Sequence, residues 1–194
     1  MNKLIWIRHG MTKGNEEKRY IGSRSDESLS TLGIQKLKEN VVNQEYPACD
    51  VLYVSPMKRC QETAQIIYPK QPYQIVEAFK ECDFGLFEGK NYKELSENIE
   101  YQRWLMSNGT MPFPMGESRE QFKHRCVDAF LKLQASFIPN QTIGFVVHGG
   151  TIMAILSEFV KPSKDYFAFQ LGNGDYYQTL VTKDEKLVLK EPVK

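Results

Sequence analysis

Lys3-Leu4-Ile5-Trp6-Ile7-Arg8-His9-Gly10 is a short apolar, β-favouring run that stops at an arginine, a histidine and a glycine. The same order of residue types returns late in the chain. Thr142–Val147 (TIGFVV) reads as a core strand, and His148-Gly149-Gly150 breaks it. Between these two lies a third run, Asp50–Val54 (DVLYV), followed at once by Ser55-Pro56. A serine cap with proline at the first helical position predicts a helix from there to about Ile67. Helical spacing also follows Ser30, through Leu32 or Ile34, Leu37 and Val41. Ser118-Arg119-Glu120-Gln121 fits a capping box, and Phe122, Cys126, Phe130, Leu133 and Phe137 form one apolar face after it. Thr151–Val160 continues as an apolar helix.

The remaining segments complete the pattern. Tyr73–Val76 is a further strand, and Tyr92–Ser107 reads as helix in two pieces ending in an Asn108-Gly109 turn. Tyr166–Gln170, Tyr177–Thr182 and Lys186–Leu189 are expected as strands of an edge meander. Met111–Met115 (MPFPM) is expected to be a mobile surface loop beside a site. Strands alternating with helices imply an α/β three-layer α/β/α sandwich around a mainly parallel sheet. At 194 residues, with no repeat or linker, one domain over 1–194 is expected.

Composition narrows the class of partner. Lys+Arg 25 against Asp+Glu 24 leaves a net charge of +1, far from the basic balance of a nucleic-acid binder. No apolar stretch approaches the roughly 18 residues of a membrane span, and Arg8 arrives too early for a signal-peptide core. Cys49, Cys60, Cys82 and Cys126 are scattered without metal-ligand spacing, as expected of reduced thiols in the cytoplasm. The neutral total hides a local excess. Residues 1–25 hold six basic side chains (Lys3, Arg8, Lys13, Lys18, Arg19, Arg24) against Glu16 and Glu17.

Only three histidines are present, and His9 and His148 each follow a predicted strand. Ligands of open α/β sheets bind beyond the carboxyl ends of strands, so both imidazoles should face one crevice. Arg59 joins them from the first turn of a helix, where free backbone N–H groups favour an anion. Two histidines, two arginines and a helix start describe an oxyanion pocket. His124, in an amphipathic helix between Lys123 and Arg125, reads as structural.

Arg8-His9-Gly10 with Thr12 and Asn15 resembles the signature of the histidine phosphatase superfamily, the phosphoglycerate-mutase-like proteins. Four further blocks extend the resemblance in order to Gly150: Ser55–Ala64, Glu81 with Asp83-Phe84-Gly85 and Glu88-Gly89, Gly116-Glu117-Ser118, and His148-Gly149-Gly150. The resemblance implies His9 as the nucleophile that carries a phosphoryl group, Glu81 as general acid and then base, and His148 as the third catalytic residue. It implies Arg8, Asn15 and Arg59 as phosphate ligands, with a protonated His148 adding positive charge. No cofactor or metal is expected, because the protein itself supplies the charge. Asp83 and Glu88 rival Glu81 for the acid role, while Lys13, Lys18 and Arg19 either rim the site or are solvated.

Other phosphatase chemistries fail a simple check. A cysteine phosphatase needs arginine six positions after its cysteine, where Ser55, Ile66, Glu88 and Lys132 stand instead. The resemblance therefore implies a phosphomonoesterase acting on a small phosphorylated metabolite, similar to α-ribazole phosphatases and broad-specificity phosphatases. The alternatives are a mutase that returns the phosphoryl group to its substrate, and a non-catalytic phospho-ligand binder. Cys82 and Phe84 stand where the mutases carry an arginine and a tyrosine, which argues against the first. The intact set of site residues argues against the second. Specificity is expected to lie in loops around 16–25 and 90–115.

Overall fold

The computed structural model describes residues 1–44 and 46–190. Its centre is a six-stranded sheet in the order β3-β2-β4-β1-β5-β6. These strands are β1 (Lys3–Arg8), β2 (Val51–Val54), β3 (Gln74–Ile75), β4 (Thr142–Val147), β5 (Tyr176–Val181) and β6 (Leu187–Lys190). The first four are mutually parallel, and β5 and β6 close one edge as an antiparallel pair. The helices are α1 (Lys13–Glu16), α2 (Thr31–Gln44), α3 (Lys58–Ile67), α4 (Ile99–Met106), α5 (Arg119–Gln134) and α6 (Gly149–Phe159).

Alternation along β1 builds the three layers. Leu4 and Trp6 point to one face, where Phe122, Cys126 and Phe130 of α5 and Ile152 and Ile155 of α6 pack. Ile5 and Ile7 point to the other, against Leu37 of α2 and Cys60, Ala64 and Ile67 of α3. Trp6 stacks on Phe145 of the neighbouring strand at 4.4 Å between ring centroids, and its indole N–H donates to Thr179 Oγ1 at 3.0 Å. The large inward aromatic therefore leaves no buried donor unsatisfied. The expected three-layer sandwich is the architecture found. Helices α2 and α3 cover one face and α5 and α6 the other, and β4 inserts between β2 and β1, so the carboxyl ends of β1, β2 and β4 lie at a switch in connectivity.

Several elements depart from the sequence expectation. Helix α3 starts at Lys58 with Met57 as its N-cap, not at Ser55-Pro56. The Ser55 hydroxyl instead hydrogen-bonds His148. Of Tyr92–Ser107, only Ile99–Met106 is helical. Asn91 Oδ1 accepts from the N–H groups of Lys93 and Glu94 (3.0 and 3.1 Å), holding 92–97 in turns. Asn98 then caps α4. Tyr166–Phe169 is a 3₁₀ turn rather than a strand, because its edge of the sheet is taken by β5 and β6. Gly149 and Gly150 form the first turn of α6. Within Met111–Met115, Phe113 is buried. The Ser118 capping box is present, with Gln121 N–H donating to Ser118 Oγ at 3.0 Å and Ser118 N–H to Gln121 Oε1 at 2.8 Å.

Candidate active site

In register, Arg8 at the end of β1 lies opposite Val147 at the end of β4. The next residues on the two strands are His9 and His148, whose rings sit 5.1 Å apart, edge to face. Both are buried, at 4% and 0% exposure. His9 Nδ1 is 2.7 Å from the carbonyl oxygen of Gly10. A carbonyl only accepts, so Nδ1 carries the hydrogen and Nε2 keeps a free lone pair. Burial and then the positive charges of Arg59 and Arg8 hold the imidazole well below its usual pKa. His9 is therefore neutral, with its basic nitrogen unoccupied.

His148 is likewise held well below the ordinary imidazole range, by burial and then by Arg59, His9 and Arg8. Burial and these charges disfavour the third positive charge that the resemblance implied for His148. Its Nε2 is 2.8 Å from Ser55 Oγ, and Ser55 follows β2 directly, with its N–H donating to Val146 O. Three successive strand ends thus deliver His9, Ser55 and His148 to one place.

The two arginines are oriented by carbonyls and left with free donors. Arg59, fully buried in the first turn of α3, donates from Nη1 to Ser25 O (2.8 Å) and from Nη2 to Gly22 O (3.1 Å). Arg8 donates from Nη1 to Leu171 O at 2.6 Å. The Nε of each is buried without an acceptor in the protein. Such donors suit the oxygens of a bound oxyanion. Asn15 lies further out. Its Oδ1 accepts from Thr12 N–H in a capping box and from Asn173 Nδ2, and Asn173 Nδ2 also donates to His9 O at 3.0 Å.

Glu81, 8% exposed, accepts Cys82 N–H at Oε1 (2.9 Å) and Gly150 N–H at Oε2 (3.3 Å). Burial pushes its pKa up against these hydrogen bonds and the two arginines. The approach is close enough that a Cβ on Gly150 would lie 3.1 Å from Glu81 Cδ and nearer still to Oε1. The rival carboxylates are engaged elsewhere. Asp83 pairs with Arg24, and Glu88 accepts the N–H groups of Gly22, Ser25 and Phe84. Arg19 pairs with Glu17 and Glu94, and Lys13 with Glu16. His124 lies on the surface beside Asp128.

Sequence reasoning missed Asn173 and gave Ser55 and Glu88 other roles, a helix cap and a rival acid. Ser55 obeys the strand-end rule that found the histidines. Glu88 acts at one remove, holding the loop whose carbonyls hold Arg59. A cavity of about 640 Å³ opens beside Arg8, Glu81, Gly149 and Gly150. Tyr20, Trp104 and Phe113 wall it from the two loops expected to set specificity, and Arg119 and Tyr166 add to it from outside them.

Buried imidazoles, guanidinium donors and a carboxyl with a raised pKa at the carboxyl ends of parallel strands form an arrangement chemically suited to a small oxyanion beside a nitrogen lone pair. The chain belongs to the histidine phosphatase superfamily (branch 1), whose family model matches residues 4–192. It is 32% identical over 163 residues to the putative phosphoserine phosphatase 2 of Hydrogenobacter thermophilus, spanning 80% of this chain and 77% of that one. It is similar to a solved mutant of the Entamoeba histolytica phosphoserine phosphatase in complex with phosphoserine, with a TM-score of 0.80 and 32% identity over 99% of this chain and 96% of that one. A putative alpha-ribazole-5'-P phosphatase from Escherichia coli shares the fold, with a TM-score of 0.87 at 22% identity over 99% and 96% of the two chains.

Proposed function

We propose that the chain hydrolyses small phosphomonoesters through a phosphoryl group carried on His9 Nε2. The supporting observation is the Nδ1–H···O=C bond to Gly10, which presents Nε2 as a lone pair beside two free arginine Nε donors. In the first step Nε2 attacks phosphorus, the bond from phosphorus to the ester oxygen breaks, and Glu81 gives its proton to the departing alkoxide. In the second, water attacks the phosphohistidine, Glu81 takes the water proton, and the P–N bond breaks to release inorganic phosphate. Arg8 and Arg59 bind the equatorial oxygens, Asn15 adds a neutral donor, and His148 lies against the phosphoryl group. The guanidinium charges make the scheme independent of a metal.

O-phosphoserine is favoured as a substrate by the two phosphoserine-phosphatase relatives above 30% identity. The α-ribazole 5′-phosphate ester rests on the sequence resemblance alone. Four unpaired cysteines support a reducing, cytoplasmic setting. Rapid quenching with a labelled phosphomonoester should trap an acid-labile, alkali-stable phosphoryl group that His9→Ala abolishes. A label that persists in that variant, or inactivation by a chelator, would overturn the mechanism. A panel containing O-phosphoserine, α-ribazole 5′-phosphate, and 3-phosphoglycerate with 2,3-bisphosphoglycerate separates hydrolysis from isomerisation. Isomerisation without phosphate release would make the chain a mutase.

A further inference from the structure

We infer that Arg119 pairs with a carboxylate on the leaving alcohol, so that esters with a second anion beyond an apolar body are preferred over their uncharged counterparts. The inference rests on the phosphomonoesterase reading and specifies its substrate class. Arg119 lines the cavity that opens beside Arg8 and Glu81, and no carboxylate among the described residues pairs with it. Glu117, two positions earlier, is held instead by Arg125 at 2.7 and 2.9 Å. As the first residue of α5, Arg119 also stands at the positive end of a helix, where a cation is disfavoured. Within the described residues its guanidinium meets the face of the Tyr166 ring but no anion.

Its position relative to the chemistry is defined by one ring. The Arg119 guanidinium carbon lies 5.8 Å from the centre of the Tyr166 ring, and the Tyr166 hydroxyl donates to Gly150 O at 3.4 Å. Gly150 N–H in turn donates to Glu81. Tyr166 and Gly150 therefore link the cation to the group that would protonate the leaving oxygen. Trp104, which stacks on Phe113 across the cavity wall, has a buried indole N–H with no acceptor. A leaving group reaching this chamber meets aromatic walls and one cation without a carboxylate partner. Low polarity around the guanidinium strengthens its attraction for an anion. The cavity, at about 640 Å³, also has room for an alcohol larger than a three-carbon acid.

The test compares 4-carboxyphenyl phosphate with phenyl phosphate. The intact protein should favour the carboxylated ester by about tenfold or more in kcat/KM, the size of one charge-assisted hydrogen bond. Arg119→Ala should bring that ratio close to one by raising KM for the carboxylated ester, Arg119→Lys should restore part of it, and Arg119→Glu should reverse it. The melting temperature of Arg119→Ala should not fall, which separates substrate pairing from a structural role. A ratio near one in the intact protein, or a ratio unchanged by Arg119→Ala, would overturn the inference while leaving the hydrolytic reading in place. Failure to release phosphate from either ester would overturn both.

Discussion

Replacing Gly150 by alanine should separate the two halves of the proposed reaction. The added Cβ would lie 3.0 Å from Phe122 Cε1 and 3.1 Å from Glu81 Cδ, and closer still to Oε1, against ordinary contacts of 3.4 Å and more. Phe122 is a fully buried core residue and has no room to retreat, so the carboxyl must withdraw by roughly 1 Å. That retreat breaks the bond from Gly150 N–H and takes the proton out of line with the leaving oxygen. A displacement of this size costs on the order of 10²-fold in rate, within the range of a general acid's contribution. Alanine's better helix propensity offsets part of the crowding, so the fold should survive. The assay is pre-steady-state quenching with two esters. With 4-nitrophenyl phosphate, whose leaving group is stable as an anion, the burst of nitrophenolate should persist while turnover slows. With O-phosphoserine, whose alkoxide must be protonated, the phosphoenzyme itself should form about 10²-fold more slowly. Equal losses in the burst rates of the two esters would refute the assignment of Glu81 as the acid.

Two further outcomes follow from the same geometry. Because burial holds His9 and His148 neutral, the unfolded chain binds more protons than the folded one just below the ordinary imidazole value, so stability should fall as pH drops from ~6.5. Glu81, with its pKa raised, has the opposite sign and erodes stability as pH rises above its unfolded value. Melting temperature measured against pH should fall less steeply on the acid side in His9→Gln, and parallel curves would contradict the neutral assignment. Glu88→Ala removes the acceptor of three backbone N–H groups at 2.8, 3.0 and 3.3 Å and should lower stability by about 3 kcal/mol in urea. The variant should also weaken inhibition by inorganic phosphate, since the freed loop carries the carbonyls that orient Arg59; unchanged phosphate affinity would separate that loop from the site.

The legible parts of this molecule are those whose signal is local. Lys3–Arg8 and Thr142–Val147 have the same limits in the sequence reading and in the sheet, because each is an apolar run stopped by a glycine-containing segment. The capping box at Ser118 holds for the same reason: its four residues form their bonds among themselves. Local reading failed where a side chain had a distant use. Ser55 looks like a cap, but its hydroxyl is engaged by His148, 93 positions away. Tyr166–Phe169 has the composition of a strand, yet its first ring walls the cavity and the sheet edge is already occupied. Asn173 reaches back 164 positions to the carbonyl of His9, a contact that exists only once β5 has paired with β1. The histidines and arginines were legible because strand ends and a helix start converge in any open α/β sheet, whatever the loops do.

Charge balance inside the site sharpens what a net charge of +1 permits. A phosphomonoester dianion brings two negative charges to a buried pocket. Arg8 and Arg59 supply two positive ones, while burial disfavours the charged forms of His9, His148 and Glu81. The loaded site is therefore neutral overall, which a low-dielectric interior requires of any group without bulk water around it. The transfer step preserves the balance. The proton leaves with the alcohol, Glu81 becomes negative, and the imidazole carrying the phosphoryl group becomes positive beside it. A protonated His148 would add an uncompensated charge to this state, in keeping with the burial that disfavours its charged form. A phosphodiester, with one charge fewer, would leave the pocket one positive charge in excess. In the proposed reaction the same two arginines would select monoesters over diesters, with no need for an excess of basic residues elsewhere in the chain.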